Sequence, residues 1–317
     1  MSKMIDLREV GDRLGEADDL VLCCHVGPDG DTLGSALGLS HFLKQQGKQI
    51  ILFVDDEINS YYSFLPGIEA VKRPQIGSEK INTDILLVLD ASSIDRIGNV
   101  MQCVNAKAFM NIDHHISNTR FAEYLYLDTE AAATGEIMCD LFDVMDWDMD
   151  VETATCFYTA ISTDCGSFRY ANTTGKTMRR AAALLEKGVK QDEIADFLEV
   201  TSRESMCLLS DVLPSLTFAF DNRVAYMSIT EKQYDKNIFT DSFVSYPRRI
   251  EGVEVAIMFK AVEAEVIRVS MRSKGADVSE IALSFGGGGH VRAAGCTIYA
   301  PLAEARKQLL ERLGKIL

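Results

Sequence analysis

No apolar run in this 317-residue chain approaches the roughly 18–20 residues that a membrane-spanning helix needs. The first residues, MSKMIDLREVGDRL, mix charges with apolar residues at helical spacing and do not form a signal peptide. A cytoplasmic protein is expected. The eight cysteines contain no C-x-x-C pair, which removes the zinc knuckle and the dithiol redox motif. Cys23 and Cys24, inside the apolar run LVLCC, read as small core residues with reduced thiols. Basic residues are scarce: 32 Lys and Arg stand against 47 Asp and Glu, a net charge of −15. Such a balance argues against gripping long duplex DNA, which rewards clustered cations. A small anion can still be held where bound cations reverse the local field. Internal repeats and low-complexity tracts are absent. Histidine is rare as well. Of five in the chain, His41 reads as structural within a helix, and the other four, His25, His114, His115 and His290, all fall in the motifs considered below.

What is present alternates. Short runs that are apolar throughout, at 19–26, 48–56, 83–90 and 106–113, predict strands of a parallel sheet covered on both faces. Helical patterns lie between and after them, at 32–47, 134–145 and 151–162, with Gly47 as a C-terminal stop. The second half changes character. Segments 215–230 and 253–273 read as hairpins, the first turning at Asp221-Asn222. A short helix, VSEIALSF, follows, with Asp277 and Glu280 as a capping box. A glycine run, a strand and a terminal helix complete the pattern. The prediction is an α/β chain: an N-terminal domain with a parallel sheet covered by helices over 1–190, a helical linker over 191–214, and a smaller C-terminal α+β domain with a mixed sheet over 215–317.

Open parallel sheets place their sites beyond the carboxyl ends of the strands. His25, Asp29 and Asp31, in HVGPDGDTLGS, follow the first strand. Asp90 ends TDILLVLD, Asp113-His114-His115 end AKAFMNIDHH, and Asp164 follows a helix in ISTDCGSFRY. Taken alone, HVGPDGDTLGS could be a polar turn with Asp31 capping a helix. A strand-end aspartate is commonly a solvated cap, and Asp55 and Asp56 are read that way. The histidines change the reading, because His114 beside His115 directly after an aspartate is hard to ascribe to packing. Clustered carboxylates repel one another unless a cation sits between them. Mixed Asp and His donors suit Mn²⁺, with Mg²⁺ or another divalent ion as alternatives. Two such ions roughly 3.5–4 Å apart, sharing a bridging aspartate, clamp a phosphate for in-line attack by activated water.

NIDHHISN together with HVGPDGDTLGS resembles the DHH phosphoesterase superfamily, whose members hydrolyse phosphoester or phosphoanhydride bonds at a dinuclear centre, usually of manganese. The resemblance implies that His25 and Asp29 hold one ion, that Asp31, His114 and Asp164 hold the other, and that Asp90 bridges them. It further implies that Asp113 orients His114 and that His115 faces the substrate phosphate. FGGGGHVRAAG (285–295) resembles the glycine-rich loop of the DHH-associated C-terminal domain, which contacts nucleotide substrates, and VSMRSK (269–274) matches the same domain. Gly286, Gly287, Gly288, Gly289, His290 and Arg272 are thereby implied in substrate binding. Arg272 has the planar fork of donors that suits phosphate. Arg169, in GSFRYANTT, is a further candidate contact.

Within the superfamily, pyrophosphatases carry a Ser-Arg-Lys-Lys motif where this chain has Ser202-Arg203-Glu204-Ser205. RecJ-like exonucleases are longer, and membrane-bound cyclic-dinucleotide phosphodiesterases carry transmembrane helices. A two-domain chain of this size is most similar to the nanoRNase group that also dephosphorylates 3′-phosphoadenosine 5′-phosphate (pAp). The implied substrates are short RNA oligonucleotides, pAp or small dinucleotides, with no long duplex DNA and no membrane partner. A homodimer is compatible with this reading. The alternatives are a soluble phosphodiesterase of cyclic di-AMP or its linear product pApA, and a nucleotide-binding sensor without chemistry. The sensor's mark would be a missing metal ligand, and none is missing.

Overall fold

The computed structural model describes residues 2–317. The chain divides into two units, Met1–Val200 and Thr201–Leu317.

In the first unit, strands β1 (Lys3–Met4), β2 (Asp19–Cys23), β3 (Gln49–Phe53), β4 (Ile81–Leu89), β5 (Val104–Asp113) and β6 (Tyr124–Leu127) form one sheet in the order β1-β6-β5-β4-β2-β3. Every pairing in it is parallel. The helices are α1 (Leu7–Glu16), α2 (Gly30–Gln45), α3 (Val100–Cys103), α4 (Thr134–Met145), α5 (Val151–Asp164), α6 (Gly175–Glu186) and α7 (Gln191–Glu199). Strand alternation explains the unbroken apolar runs. Leu20, Leu22, Leu87 and Leu89 enter one core with α2, α4 and α5, while Val21, Cys23, Leu86 and Val88 enter a second core on the opposite face. The strand runs expected from sequence are all present, whereas β1 and β6 lack a strong pattern of their own and exist by pairing with each other and with β5.

Helix α2 is buried on nearly every side, and it packs on α5 through glycines one turn apart. A β-carbon at Gly34 would sit 2.3 Å from the Cys156 carbonyl oxygen, one at Gly38 would meet the Phe157 ring, and one at Gly30 the Thr163 side chain. The close approach sets the start of α2 beside the end of α5. Gly47, at φ +82°, follows the end of α2 as a left-handed stop.

The second unit contains α8 (Arg203–Val212), β7 (Thr217–Ala219), β8 (Val224–Ile229), α9 (Ser245–Arg248), β9 (Val255–Glu263), β10 (Val266–Ser273), α10 (Ser279–Ser284), β11 (Gly288–His290), β12 (Ala293–Tyr299) and α11 (Leu302–Leu313). Its sheet runs β11-β12-β10-β9-β8-β7 and is mixed, β8 and β9 being parallel and the other pairs antiparallel. Both expected hairpins form. The first turns through three left-handed residues, Phe220, Asp221 and Asn222. The capping box at α10 does not form. Asp277 lies one residue too early and accepts from the backbone and hydroxyl of Ser279 in a local turn.

Candidate metal centre

Adjacent strands bring the motifs together. The carboxyl ends of β2, β4 and β5 are neighbours in the sheet, so His25, Asp90 and Asp113-His114-His115 emerge side by side. Helix α2 starts directly after β2 and supplies Asp29 and Asp31, and the last residue of α5 is Asp164. His25 Nε2 lies 3.6 Å from an oxygen of Asp29 and 3.6 Å from one of Asp90. His114 Nε2 lies 3.6 Å from Asp31, 3.5 Å from Asp90 and 3.7 Å from Asp164. Two groups of donor atoms, His25–Asp29–Asp90 and Asp31–His114–Asp164, each fit within 4.8 Å. All six residues expected as ligands are therefore assembled, and Asp90 adjoins both groups.

The donor chemistry fits divalent cations. His25, Asp31, Asp90 and His114 are all buried, and separations near 3.6 Å are too long for hydrogen bonds yet span the width of an ion with its ligands. Asp90 stands at φ +61°, a left-handed conformation uncommon outside glycine that stores strain beside a functional group. Burial pushes the Asp90 carboxyl well above its ordinary range, and the negative charges of Asp31, Asp29, Asp113 and Asp164 add to the effect. The same combination raises Asp31 to about 7, burial leading, although His114 and the Gly135 amide oppose it. Around His114, burial disfavours the charged ring, but Asp164, Asp31 and Asp113 outweigh it and raise its pKa. These are the signs expected of a cation site whose charge is not balanced by protein groups.

The family model "DHH family, N-terminal domain" matches residues 19–161, and the model "DHHA1 domain" matches residues 221–317. A Thermus thermophilus protein named bifunctional oligoribonuclease and PAP phosphatase NrnA is 36% identical over 306 residues, covering 93% of this chain and 91% of that one. The chain belongs to the DHH family. A solved structure, an exopolyphosphatase-related protein from Bacteroides fragilis, superposes with a TM-score of 0.84 at 27% identity and covers 96% of this chain and 95% of its own. The cyclic-di-AMP phosphodiesterase PdeA of Listeria monocytogenes is 24% identical, and this chain spans 48% of its length.

Two details of this DHH centre correct the sequence reading. Asp113 does not orient His114. Its Oδ1 accepts from His115 Nδ1 at 2.7 Å and its Oδ2 accepts from Asn118 at 2.6 Å, whereas His114 Nδ1 lies 3.1 Å from the Ala131 carbonyl. Residues two apart at a strand end share a side, and residues one apart do not. Nor does Asp31 cap α2. That cap is Asp29, which accepts from the amides of Asp31 and Thr32 at 3.0 and 3.1 Å. Asp31 instead accepts from the amides of Thr134 and Gly135, at the start of α4, at 2.7 and 2.8 Å.

Three neighbours escape the sequence reading. Asn118 bonds to both Asn111 and Asp113. An Arg96 guanidinium nitrogen lies 2.9 Å from His25 Nδ1. Thr134 donates its hydroxyl to Asp90 Oδ1 at 3.0 Å. The Asp-His-His-Ile-Ser-Asn sequence at 113–118 hints at Asn118, but nothing local points to Arg96 or Thr134. His41, as expected, is structural: its Nε2 lies 2.8 Å from Asp150, the cap of α5.

Arg169 is tied to its own turn, its Nε donating to the Gly166 carbonyl at 2.9 Å, and residues 166–168 are all left-handed. In the second unit, Arg272 and His290 each pair in register with Ala293, on strands that flank β12. The three side chains therefore share one sheet face. The glycine run is only partly a loop, since its second half forms β11. Gly287 and Gly289 are dictated by packing, because β-carbons there would lie 2.1 and 2.5 Å from the Gly295 and Ala293 carbonyl oxygens. Gly286 is needed for its φ of +72°, and a β-carbon at Gly288 would meet nothing within 4 Å.

The raised carboxyls give the metal-free protein a defined pH response. A carboxyl whose folded pKa exceeds its unfolded value contributes stability at low pH and loses it as pH rises through the folded value. For Asp31 that window runs from about 4 to about 7. His114, also raised, acts in the same direction. Chelated protein should therefore melt at a higher temperature at pH 6 than at pH 8. Differential scanning fluorimetry in excess chelator checks this, and a Tm that stays flat or rises from pH 6 to pH 8 would exclude it.

No described helix is long and apolar enough to cross a membrane.

Proposed function

We propose that this chain hydrolyses short oligoribonucleotides to mononucleotides and converts pAp to AMP, using two Mn²⁺ ions. The observation that carries the reading is the pair of donor groups that meet at Asp90. His25 and Asp29 would hold one ion, Asp31, His114 and Asp164 the other, and Asp90 would bridge. When bound, the ions supply Lewis-acid polarisation of the phosphoryl group and a nucleophile at neutral pH. The chain's own groups do the rest. His115, held through Nδ1 by Asp113, would face the reacting phosphate. Arg272 and His290, side by side across β12, would hold phosphate oxygens, with the backbone at Gly286 and Gly288 open to close approach. Arg169 would be a peripheral contact. In this reading residues 1–190 form the catalytic domain, 191–214 a linker and 215–317 the substrate-binding domain.

The net charge of −15 gives little long-range attraction for a polyanion. Affinity should come from the terminal one or two nucleotides, and extra nucleotides should add mainly repulsion. The test is a Mn²⁺-supplemented panel of pAp, pApA, RNAs of graded length, cyclic di-AMP and pyrophosphate, with a chelated control. We expect turnover of pAp and pApA, loss of activity on chelation, and catalytic efficiency that falls as RNA grows from two or three to about twenty nucleotides. Preferential turnover of cyclic di-AMP or pyrophosphate would overturn the assignment, and efficiency that rises with length would indicate a RecJ-like exonuclease.

A further inference from the structure

Helix α4 has no cap of its own. Its N-cap residue is Ala133, which makes no side-chain hydrogen bond. The cap comes from elsewhere in the chain: Asp31, at the start of α2, accepts from Thr134 N through Oδ2 and from Gly135 N through Oδ1. A Ser35 hydroxyl reaches Oδ1 as well, at 3.2 Å. The next group on Thr134, its hydroxyl, turns to Asp90 and donates to Oδ1 at 3.0 Å. Thr134 is fully buried. One residue thus fixes two carboxylates through two different atoms, and those carboxylates belong to different donor groups.

We propose that Thr134 is the positioning residue that sets Asp90 against Asp31, and with them the spacing of the two donor groups. The inference rests on the reading of this cluster as a two-ion centre. Asp90 needs such a hold, because its backbone is left-handed and no regular strand geometry directs its side chain. The hydroxyl removes one rotational choice and occupies one lone pair of Oδ1, leaving the others for cations. The Thr134 amide and the start of the α4 dipole do the same for Asp31. Partners behind metal ligands commonly matter by ten- to a hundred-fold in affinity.

The α4 terminus is itself held. Glu136, buried two residues beyond Thr134, accepts from the Thr177 hydroxyl at 2.8 Å, and its other oxygen lies 3.2 Å from Lys176 Nζ. Residues of α6 therefore anchor the turn from which Thr134 reaches the cluster.

The experiment measures Mn²⁺ binding to the full chain by calorimetry and by electron paramagnetic resonance, without substrate. The variants are Thr134→Val, which keeps shape and amide but removes the hydroxyl, and Thr134→Ser, which keeps the hydroxyl. We expect the wild type to bind two ions, Thr134→Val to lose about ten- to a hundred-fold in affinity for at least one and to show weakened spin coupling between them, and Thr134→Ser to stay within about three-fold of the wild type. Wild-type affinity and coupling in Thr134→Val would overturn the role of Thr134 alone. Equal losses in the Ser and Val variants would overturn it too, since the hydroxyl would not be the operative group. Failure of the wild type itself to bind two ions would overturn the two-ion reading on which the inference rests.

Discussion

Replacing Asp90 with Asn should abolish phosphoester hydrolysis while making the metal-free protein more stable. Asn is the informative choice because it tolerates the left-handed backbone at φ +61° and can still accept from the Thr134 hydroxyl. What it removes is charge and the capacity to bridge. With ions absent, that charge is unfavourable: the carboxyl is buried and faces Asp31, Asp29, Asp113 and Asp164. A neutral amide relieves the repulsion, so the chelated variant should melt above chelated wild type at pH 8. With ions present the balance should reverse, because in the proposed two-ion centre a group that touches both donor sets would serve both cations. Turnover of pAp should fall by at least about 10³-fold, which corresponds to roughly 4 kcal/mol of transition-state stabilisation. Melting curves with and without Mn²⁺, alongside single-turnover hydrolysis, separate the two effects. A variant that keeps more than about a tenth of wild-type activity would remove Asp90 from the bridge, and one that is destabilised in chelator would contradict the electrostatic account.

The opposite signs of those two effects follow from one fact. The site is built for charge that the protein does not itself provide. An acidic chain of net −15 concentrates several of its carboxylates in one buried place, and their mutual repulsion is the counterpart of cation affinity.

Much of this arrangement is legible in the sequence because it is local. Runs such as ILLVL (85–89) are apolar at every position, as a strand covered on both faces accommodates, and β4 is such a strand. The candidate ligands lie where such strands end, so a rule about strand ends finds His25, Asp90 and His114 without knowledge of the strand order. What sequence does not show is contact between distant segments. That Asp31 caps α4 rather than its own helix depends on a meeting of residues 31 and 134 that no periodicity encodes. Thr134 looks like an ordinary helix-start threonine until its hydroxyl is seen on Asp90. The pairing of Asp113 with His115 was within reach, since alternation at a strand end puts i and i+2 on one side. The weak strands β1 and β6 are short, and parallel pairing creates them. In the glycine run, sequence suggests a phosphate cradle for all four residues, whereas close approach of the run to β12 accounts for two of them, Gly287 just before β11 and Gly289 within it.

The same kind of contact makes Gly34 a sensitive position although its own residue offers no donor atom. Glycines at 30, 34 and 38 repeat at one helical turn and let α2 lie directly on α5. At Gly34 the obstacle to a β-carbon is a backbone carbonyl, that of Cys156, at 2.3 Å. A flexible side chain could rotate away, but a carbonyl within a helix cannot move without the helix. Gly34→Ala should therefore part the two helices, at about 3 kcal/mol or more. For a unit of this size that lowers Tm by about 6–12 °C. Ordinarily alanine stabilises a helix relative to glycine by roughly 0.5–1 kcal/mol, so the sign itself is diagnostic. Gly15, in α1, has nothing within 4 Å of its would-be β-carbon and serves as the control. Gly15→Ala should leave Tm unchanged or raise it. The functional consequence follows from what the helices carry. Asp31 lies in the first turn of α2 and Asp164 at the end of α5, so parting the helices parts two donors of one group. A displacement near 1 Å there should lower turnover by up to about a hundred-fold at a temperature where the variant is still folded, and should weaken Mn²⁺ binding with it. Thermal melts and Mn²⁺ titrations of Gly34→Ala beside Gly15→Ala decide the matter. A Gly34→Ala protein with wild-type Tm would show that α2 and α5 are not in the contact described, and one with a lowered Tm but unaltered Mn²⁺ affinity would show that the helix contact does not govern the metal centre.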